Sequence, residues 1–160
     1  MIAHLSPAIV TDHIKLLDGE YGSNDPLTVT RGKIHEFIGM TIDFSLKRGV
    51  AFSQYDYVKK FWNELPDDLK GPYRKSPAPD NLFKVDRNAK VVDPKKKEQY
   101  HWATAKSLFL SQRSRYDLQL ATGFHCTRVK LPTVQDWGKL RHMLGYMWAT
   151  RYLPLIIDRR

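Results

Sequence analysis

A chain of 160 residues, 42% of them apolar and 12% aromatic, predicts one domain or two small ones with a real hydrophobic core and excludes a purely disordered tail. Its longest unbroken apolar run, residues 153–157, is far short of the ~20 residues of a bilayer span, and residues 1–5 lack the basic start of a secretory leader. An intracellular protein without a membrane partner is therefore expected, and its net charge of +9, from 26 Lys and Arg against 17 Asp and Glu, suggests a polyanion partner, most often nucleic acid.

In chain order, Ser6 and Pro7 open a helical pattern in which Val10, His13, Ile14, Leu17 and Tyr21 share a face, and Gly22 ends it. Between residues 27 and 46 the period falls to two, with Ile34, Ile38, Met40, Ile42, Phe44 and Leu46 alternating. Lys47-Arg48-Gly49 then supplies a turn, and Val50 and Phe52 return, which predicts a β-hairpin with a long first arm. Residues 55–65 read as a short helix carrying Val58, Phe61, Trp62 and Leu65, stopped by Pro66.

The stretch 66–94 holds Pro66, Gly71, Pro72, Pro77, Pro79 and Pro94 among charged residues, and predicts an extended surface connector and a subdomain boundary. Three helices follow. Residues 95–112 place Trp102, Ala105, Phe109 and Gln112 on one stripe, and residues 117–128 carry Leu118, Ala121, Phe124 and His125. The third opens on Thr133-x-x-Asp136, a capping-box spacing, and continues through Trp137, Leu140, Leu144, Met147 and Trp148. Residues 153–157 read as a final strand whose partner is missing. The fold class is α+β: an N-terminal helix and β-hairpin, then a mainly helical bundle.

Few residues offer catalytic chemistry. Asp67-Asp68 is the one adjacent acidic pair, but Pro66 sets it on a polar loop, where it reads as structural. The six histidines have no metal-ligand spacing, and no glycine-rich phosphate loop is present. Cys126 is the only cysteine, which excludes an intrachain disulfide and a thiolate zinc set; beside His125 on a helix it points about 100° away and reads as a small buried hydrophobe. Lys95-Lys96-Lys97 heads a helix, where the dipole disfavours cations, so a partner or plain solvation is expected there.

What remains is basic and aromatic. Residues 67–160 carry 19 basic and 9 acidic side chains, against 7 and 8 in residues 1–66, so all the excess charge lies in the second part. There Arg113, Arg115, Arg128, Lys130, Lys139, Arg141 and Arg151 interleave with Trp137, Tyr146 and Trp148, a composition that holds phosphate backbones without reading sequence. A solvated helix face around an aromatic core accounts for any single one of these residues equally well.

The order of segments resembles copia-type LTR-retrotransposon reverse transcriptases over nearly the whole chain. Phe37-Ile38-Gly39-Met40-Thr41-Ile42, then Gly49 to Gln54 and Tyr57-Val58, is similar to the family's F-L-G-x-x-I…G-x-x-x-S-Q-x-x-Y stretch. Tyr100, Leu108-Phe109-Leu110, Ser114-Arg115-Tyr116-Asp117-Leu118, Arg128, Pro132, Trp137 and Leu144 follow the family's later motifs in order.

The resemblance implies a palm remnant over 1–65, a connector over 66–94 and a helical thumb and connection over 95–160. It implies that Phe37, Ile38, Gly39 and Met40 form the hairpin gripping the primer 3′ end; Gly39, without a Cβ, suits a close backbone approach. With the basic residues it makes Phe37, Ile38, Gly39, Met40, Arg113, Arg115, Arg128, Lys130 and Arg141 the nucleic-acid-binding set. The partner would be an RNA or DNA primer–template, together with the palm and fingers of a polymerase. The family's Y-x-D-D strand is absent from the sequence, so no catalytic or metal-binding residue is assigned and no cofactor is expected, Mg²⁺ being the parent family's metal. Tyr116 stands where the family has proline, and Met147-Trp148-Ala149 replaces its basic and glycine residues, as in a diverged or decaying copy. The chain reads as a reverse-transcriptase fragment, non-catalytic alone. The alternatives are a domesticated basic nucleic-acid-binding module or an accessory chain of a split polymerase.

Overall fold

Proline at the first helical position, where its missing N–H costs nothing, starts α1 (Pro7–Tyr21), and Gly22 closes it with an N–H donated to the Asp18 carbonyl at 2.8 Å. The computed structural model describes residues 6–86 and 88–158 and divides the chain into two compact units, residues 1–32 and 33–160. The leader reading of residues 1–5 lies outside the described residues. Within the first unit α1 buries none of its side chains. Its apolar stripe is only half covered, and the returning chain is tied back by the Leu27 N–H to Asp18 Oδ1 (3.1 Å) and by Arg31 to Thr11 Oγ1 (3.0 Å).

The second unit joins one antiparallel sheet to a helical core. Strands β1 (Ile34–Phe37), β2 (Met40–Asp43), β3 (Gly49–Ser53) and β4 (Leu155–Asp158) lie in the order β1-β2-β3-β4. The expected long first arm is itself a hairpin. Phe37 pairs with Met40, and the chain reverses at Ile38 (φ +49°) and Gly39 (φ +70°), both left-handed as a two-residue type I′ loop requires. Gly39 takes this backbone freely, whereas a β-branched Ile38 is strained there. The reversal splits the predicted apolar face: Ile34 pairs with Asp43 and is 60% exposed, while Ile42 pairs with His35 on the opposite face and is 3% exposed. The last strand has its partner after all, Val50 pairing with Ile157 and Phe52 with Leu155.

The core is built from α2 (Tyr55–Glu64), α3 (Pro94–Ser111), α4 (Gln119–Arg128) and α5 (Val134–Ala149). Val58 and Phe61 of α2, Leu118, Ala121 and Phe124 around α4, and Trp137, Leu140, Leu144 and Met147 of α5 are buried as their spacing predicts. On α3 the buried face is instead Tyr100, Ala103, Thr104, Ser107, Leu110 and Ser111, with Trp102 and Phe109 half-buried and Ala105 and Gln112 exposed. Small hydroxyl residues occupy this face because they bond within the helix, Ser107 Oγ donating to the Ala103 carbonyl (2.8 Å) and Ser111 Oγ to that of Leu108 (3.0 Å).

Two helices are capped, α5 as its sequence suggests and α3 by a residue the sequence reading did not single out. Asp93 accepts from the Lys96 N–H (3.0 Å), and Thr133 with Asp136 forms a complete capping box on α5. The lysine run at the head of α3 has a partner: Lys96 Nζ lies 2.9 Å from Asp68 and over the Trp137 ring. Residues 66–94 are irregular, but they do not merely run over the surface. Leu69, in a 3-10 turn (Asp67–Leu69), and Leu82 are core residues, and Val91 bridges Thr133. Between those two leucines the strap crosses α5 at a pair of glycines. A Cβ on Gly71 would lie 2.0 Å from the Arg141 carbonyl oxygen, and one on Gly145 2.2 Å from that of Pro72.

Gly145→Ala is therefore expected to destabilise the protein by about 3 kcal/mol, because helix and strap must separate. Gly123→Ala, on α4 with nothing within 4 Å of its added Cβ, is expected to stabilise by about 0.5–1 kcal/mol through helix propensity. Urea unfolding of both variants checks the contrast, and equal effects would show that the crossing is looser than described.

Candidate nucleic-acid interface

The hairpin tip and Arg113, far apart in sequence, are joined through aromatic rings. Phe37 (56% exposed) and Ile38 (54%) form an apolar tip over the half-buried Met40. The Cα of Gly39 faces Tyr57, whose ring atom Cδ2 would lie 3.7 Å from a Cβ at that glycine. Tyr57, at the start of α2, stacks on Phe109 of α3 with centroids 4.8 Å apart, and the Arg113 guanidinium lies 3.8 Å above Phe109. Burial pushes the Tyr57 phenol above its usual pKa, so it stays neutral beside Arg113.

A second ladder runs from α2 to the residues after α5. Trp62 stacks on Trp148 (4.9 Å), Arg151 sits 4.5 Å from both Trp148 and Tyr152, and Tyr152 stacks on Tyr55 (4.8 Å). Sequence reading finds Arg113, Arg151 and Trp148 but not the pairing of Tyr57 with Phe109 or of Tyr55 with Tyr152. Such pairings between elements leave no local signal.

The remaining cations differ in what they have left to offer. Arg115 is 2% exposed; its guanidinium donates to both oxygens of Asp117 (3.0 and 2.7 Å), to the Thr150 carbonyl (3.2 Å) and to Thr150 Oγ1 (2.6 Å). It is an internal tie with no surface for a phosphate. Arg128 is half-buried and donates to Asp136 Oδ2 at 3.1 Å. Lys130 follows the end of α4, and Arg141 lies on α5; both are exposed. These two do not join the hairpin-tip cluster through any ring stack or ion pair among the described residues.

A third basic region is a groove of about 800 Å³ between the strap 74–86 and α5, lined by Arg74, Lys84, Lys139 and His142, with Asp86 as its carboxylate. Lys139 is 5% exposed, and its Nζ donates to the carbonyls of Leu82 (2.9 Å) and Lys84 (2.6 Å). Burial lowers its pKa. His142 Nε2 donates to the Ser76 carbonyl at 3.0 Å, and burial lowers its pKa also.

Asp67 and Asp68 do not fit two-metal nucleotidyl-transfer chemistry. Asp67 Oδ1 is 2.8 Å from Lys70 Nζ and Asp68 Oδ2 is 2.9 Å from Lys96 Nζ, so the two carboxylates serve two different ammonium groups. Among the described residues no three His, Cys, Asp or Glu side chains converge as metal ligands, and no helix is long and apolar enough to cross a membrane. Cys126 is half-buried, with its thiol pKa raised by burial, the reverse of an activated nucleophile. No family model, curated protein or solved structure matches the chain.

His125 is fully buried, and its Nδ1 lies 2.7 Å from the Tyr100 hydroxyl. Burial lowers its pKa to about 4 and raises that of Tyr100. Between the ordinary histidine value of about 6.5 and pH 4 the unfolded chain binds a proton that the folded chain does not, so stability falls as pH drops through this window. The loss attributable to His125 is about 3 kcal/mol, and urea midpoints at pH 7.5, 6 and 4.5 should show it. His125→Gln should flatten the dependence; an unchanged slope in that variant would assign it to other groups.

Proposed function

We propose that the chain is the part of a copia-type reverse transcriptase that holds primer–template nucleic acid inside the cell, without sequence preference, and does not catalyse nucleotidyl transfer by itself. The observation that carries the reading is the junction of the apolar Ile38–Gly39 tip with Tyr57, Phe109 and Arg113. It provides a strained hairpin able to approach a sugar–phosphate backbone, a stacked aromatic pair and a guanidinium in one surface. The order of family-like motifs and the +10 of residues 67–160, from 19 basic and 9 acidic residues, support the same reading. A second reading, an accessory chain of a split polymerase, draws support from the apolar side chains left exposed on the outer strands of the sheet, Ile34, Phe37, Ile156 and Ile157.

Backbone binding releases counterions, so log K should fall linearly with log salt. With Arg113, Lys130 and Arg141 each engaging one phosphate, the slope is expected to be about −2.5, at about 0.7–0.9 per contact. Arg113→Ala should reduce its magnitude by somewhat under one unit, whereas Arg115→Ala should instead cost about 3 kcal/mol of fold stability by leaving Asp117 unpaired. Anisotropy titrations of the full chain on two unrelated primer–templates at several salt concentrations measure this. Salt-independent binding, or strong discrimination between the sequences, would overturn the reading, as would Mg²⁺-dependent nucleotide incorporation that Asp67→Asn abolishes.

A further inference from the structure

Lys139 carries a buried charge that the fold meets with carbonyl dipoles, with the Phe124 ring 5.0 Å from its Nζ and with the field of Asp136, but with no direct ion pair. Its ammonium is buried on α5, and two of its three donors are spent on the Leu82 and Lys84 carbonyls. Among the described residues no carboxylate lies within ion-pair distance of it. The nearest acidic candidate by sequence, Asp136, acts on it only from a distance, its oxygens being committed to Arg128 and to the N–H and hydroxyl of Thr133. Carbonyl dipoles offset part of the cost of a buried cation, but a full counter-charge offsets more.

The surroundings favour an anion as that counter-charge. Arg74 and Lys84 line the same groove from the strap, with Asp86 opposing them, which leaves a positive excess. Gln135, Gly138, Lys139 and His142 stand at positions i, i+3, i+4 and i+7 of α5 and therefore form one face. That face begins in the first turn of the helix, where the dipole is positive. Gly138 keeps the floor open, since nothing lies within 4 Å of where its Cβ would be. The two carbonyls that hold Lys139 also fix its ammonium in place, so little side-chain entropy remains to be lost on binding. The volume, about 800 Å³, falls within the ordinary range for small-ligand sites of about 300–1,000 Å³.

We infer that this groove is a phosphate-binding site, in which a phosphate ester or a pyrophosphate takes Lys139 as its central contact and Arg74 and Lys84 as its outer ones. The inference does not depend on the hairpin-tip reading above. The phosphate could belong to a free nucleotide or to a nucleic-acid strand; the recognition chemistry is the same.

The test uses the full chain and inorganic pyrophosphate at constant ionic strength, followed by amide chemical shifts and by calorimetry. Saturable binding is expected, with shifts concentrated at residues 135–142 and 81–86. Arg74→Ala and Lys84→Ala, both at exposed positions, should each weaken it about tenfold, the loss of one charge-assisted contact, without changing the melting temperature. Gly138→Asp, which sets a carboxylate on the open floor, should abolish it. Competition then assigns the source. If pyrophosphate displaces a bound oligonucleotide and Gly138→Asp weakens that oligonucleotide, the phosphate is a strand's; if pyrophosphate binds without displacing it, the phosphate is a free ester's. Absence of saturable binding, or binding that survives Gly138→Asp unchanged in a folded protein, would overturn the inference.

Discussion

A single buried guanidinium fixes how the ends of the helical core meet. Arg115 sits between α3 and α4, and its donors reach both oxygens of Asp117, just before α4, and the carbonyl and hydroxyl of Thr150, at the end of α5. Burying a cation at this depth is costly unless its donors are met, and here the bidentate carboxylate and the helix-end oxygens take four of its five N–H groups. With the end of α5 fixed, the chain turns through residues 150–154 and returns as β4 beside β3. The outer strand of the sheet thus depends on an interaction made by a residue 40 positions before it, between Arg115 and Leu155.

The same helix is held at its middle by steric contact instead of charge. Gly71 and Gly145 let the strap and α5 approach until backbone meets backbone, and Leu69 and Leu82 anchor the strap on either side. Because the strap is held there, its next residues form a wall facing α5, and the groove around Lys139 exists as a consequence. Lys139 in turn donates to the strap carbonyls, so the feature read as an anion site also closes the packing that creates it.

What the sequence made legible follows from locality. The cap at Thr133–Asp136 and the apolar faces of α2, α4 and α5 are decided by residues within one or two turns of each other. The α+β class follows from the same patterns. The reversal at Ile38–Gly39 escapes the periodicity because alternation continues through it; type I′ loops favour Asn or Gly first, and Ile38 opposes that preference. The strained position coincides with the exposed tip, where strain accompanies function more often than packing. The partner of β4 escapes for a different reason, since its mate lies about a hundred residues earlier and nothing local encodes the pairing. On α3 the apolar stripe misleads because the close-packed face is built of Ser, Thr and Ala, whose small size, not hydrophobicity, suits them to contact.

The candidate sites show the corresponding limit for charge. Counting Lys and Arg locates an excess in residues 67–160, yet these cations are not equivalent. Arg115 is spent on the fold, Arg128 on Asp136, Lys96 on Asp68 and Lys106 on Glu64. A cation already matched by a carboxylate adds little to the field at the surface, because its release would expose the partner. The attraction for a polyanion therefore rests on those without such a match, among them Arg113 over Phe109, the exposed Lys130 and Arg141, and the groove cations around Lys139. Net charge predicts that such a molecule is attracted; only the pairing of individual cations decides where it is held.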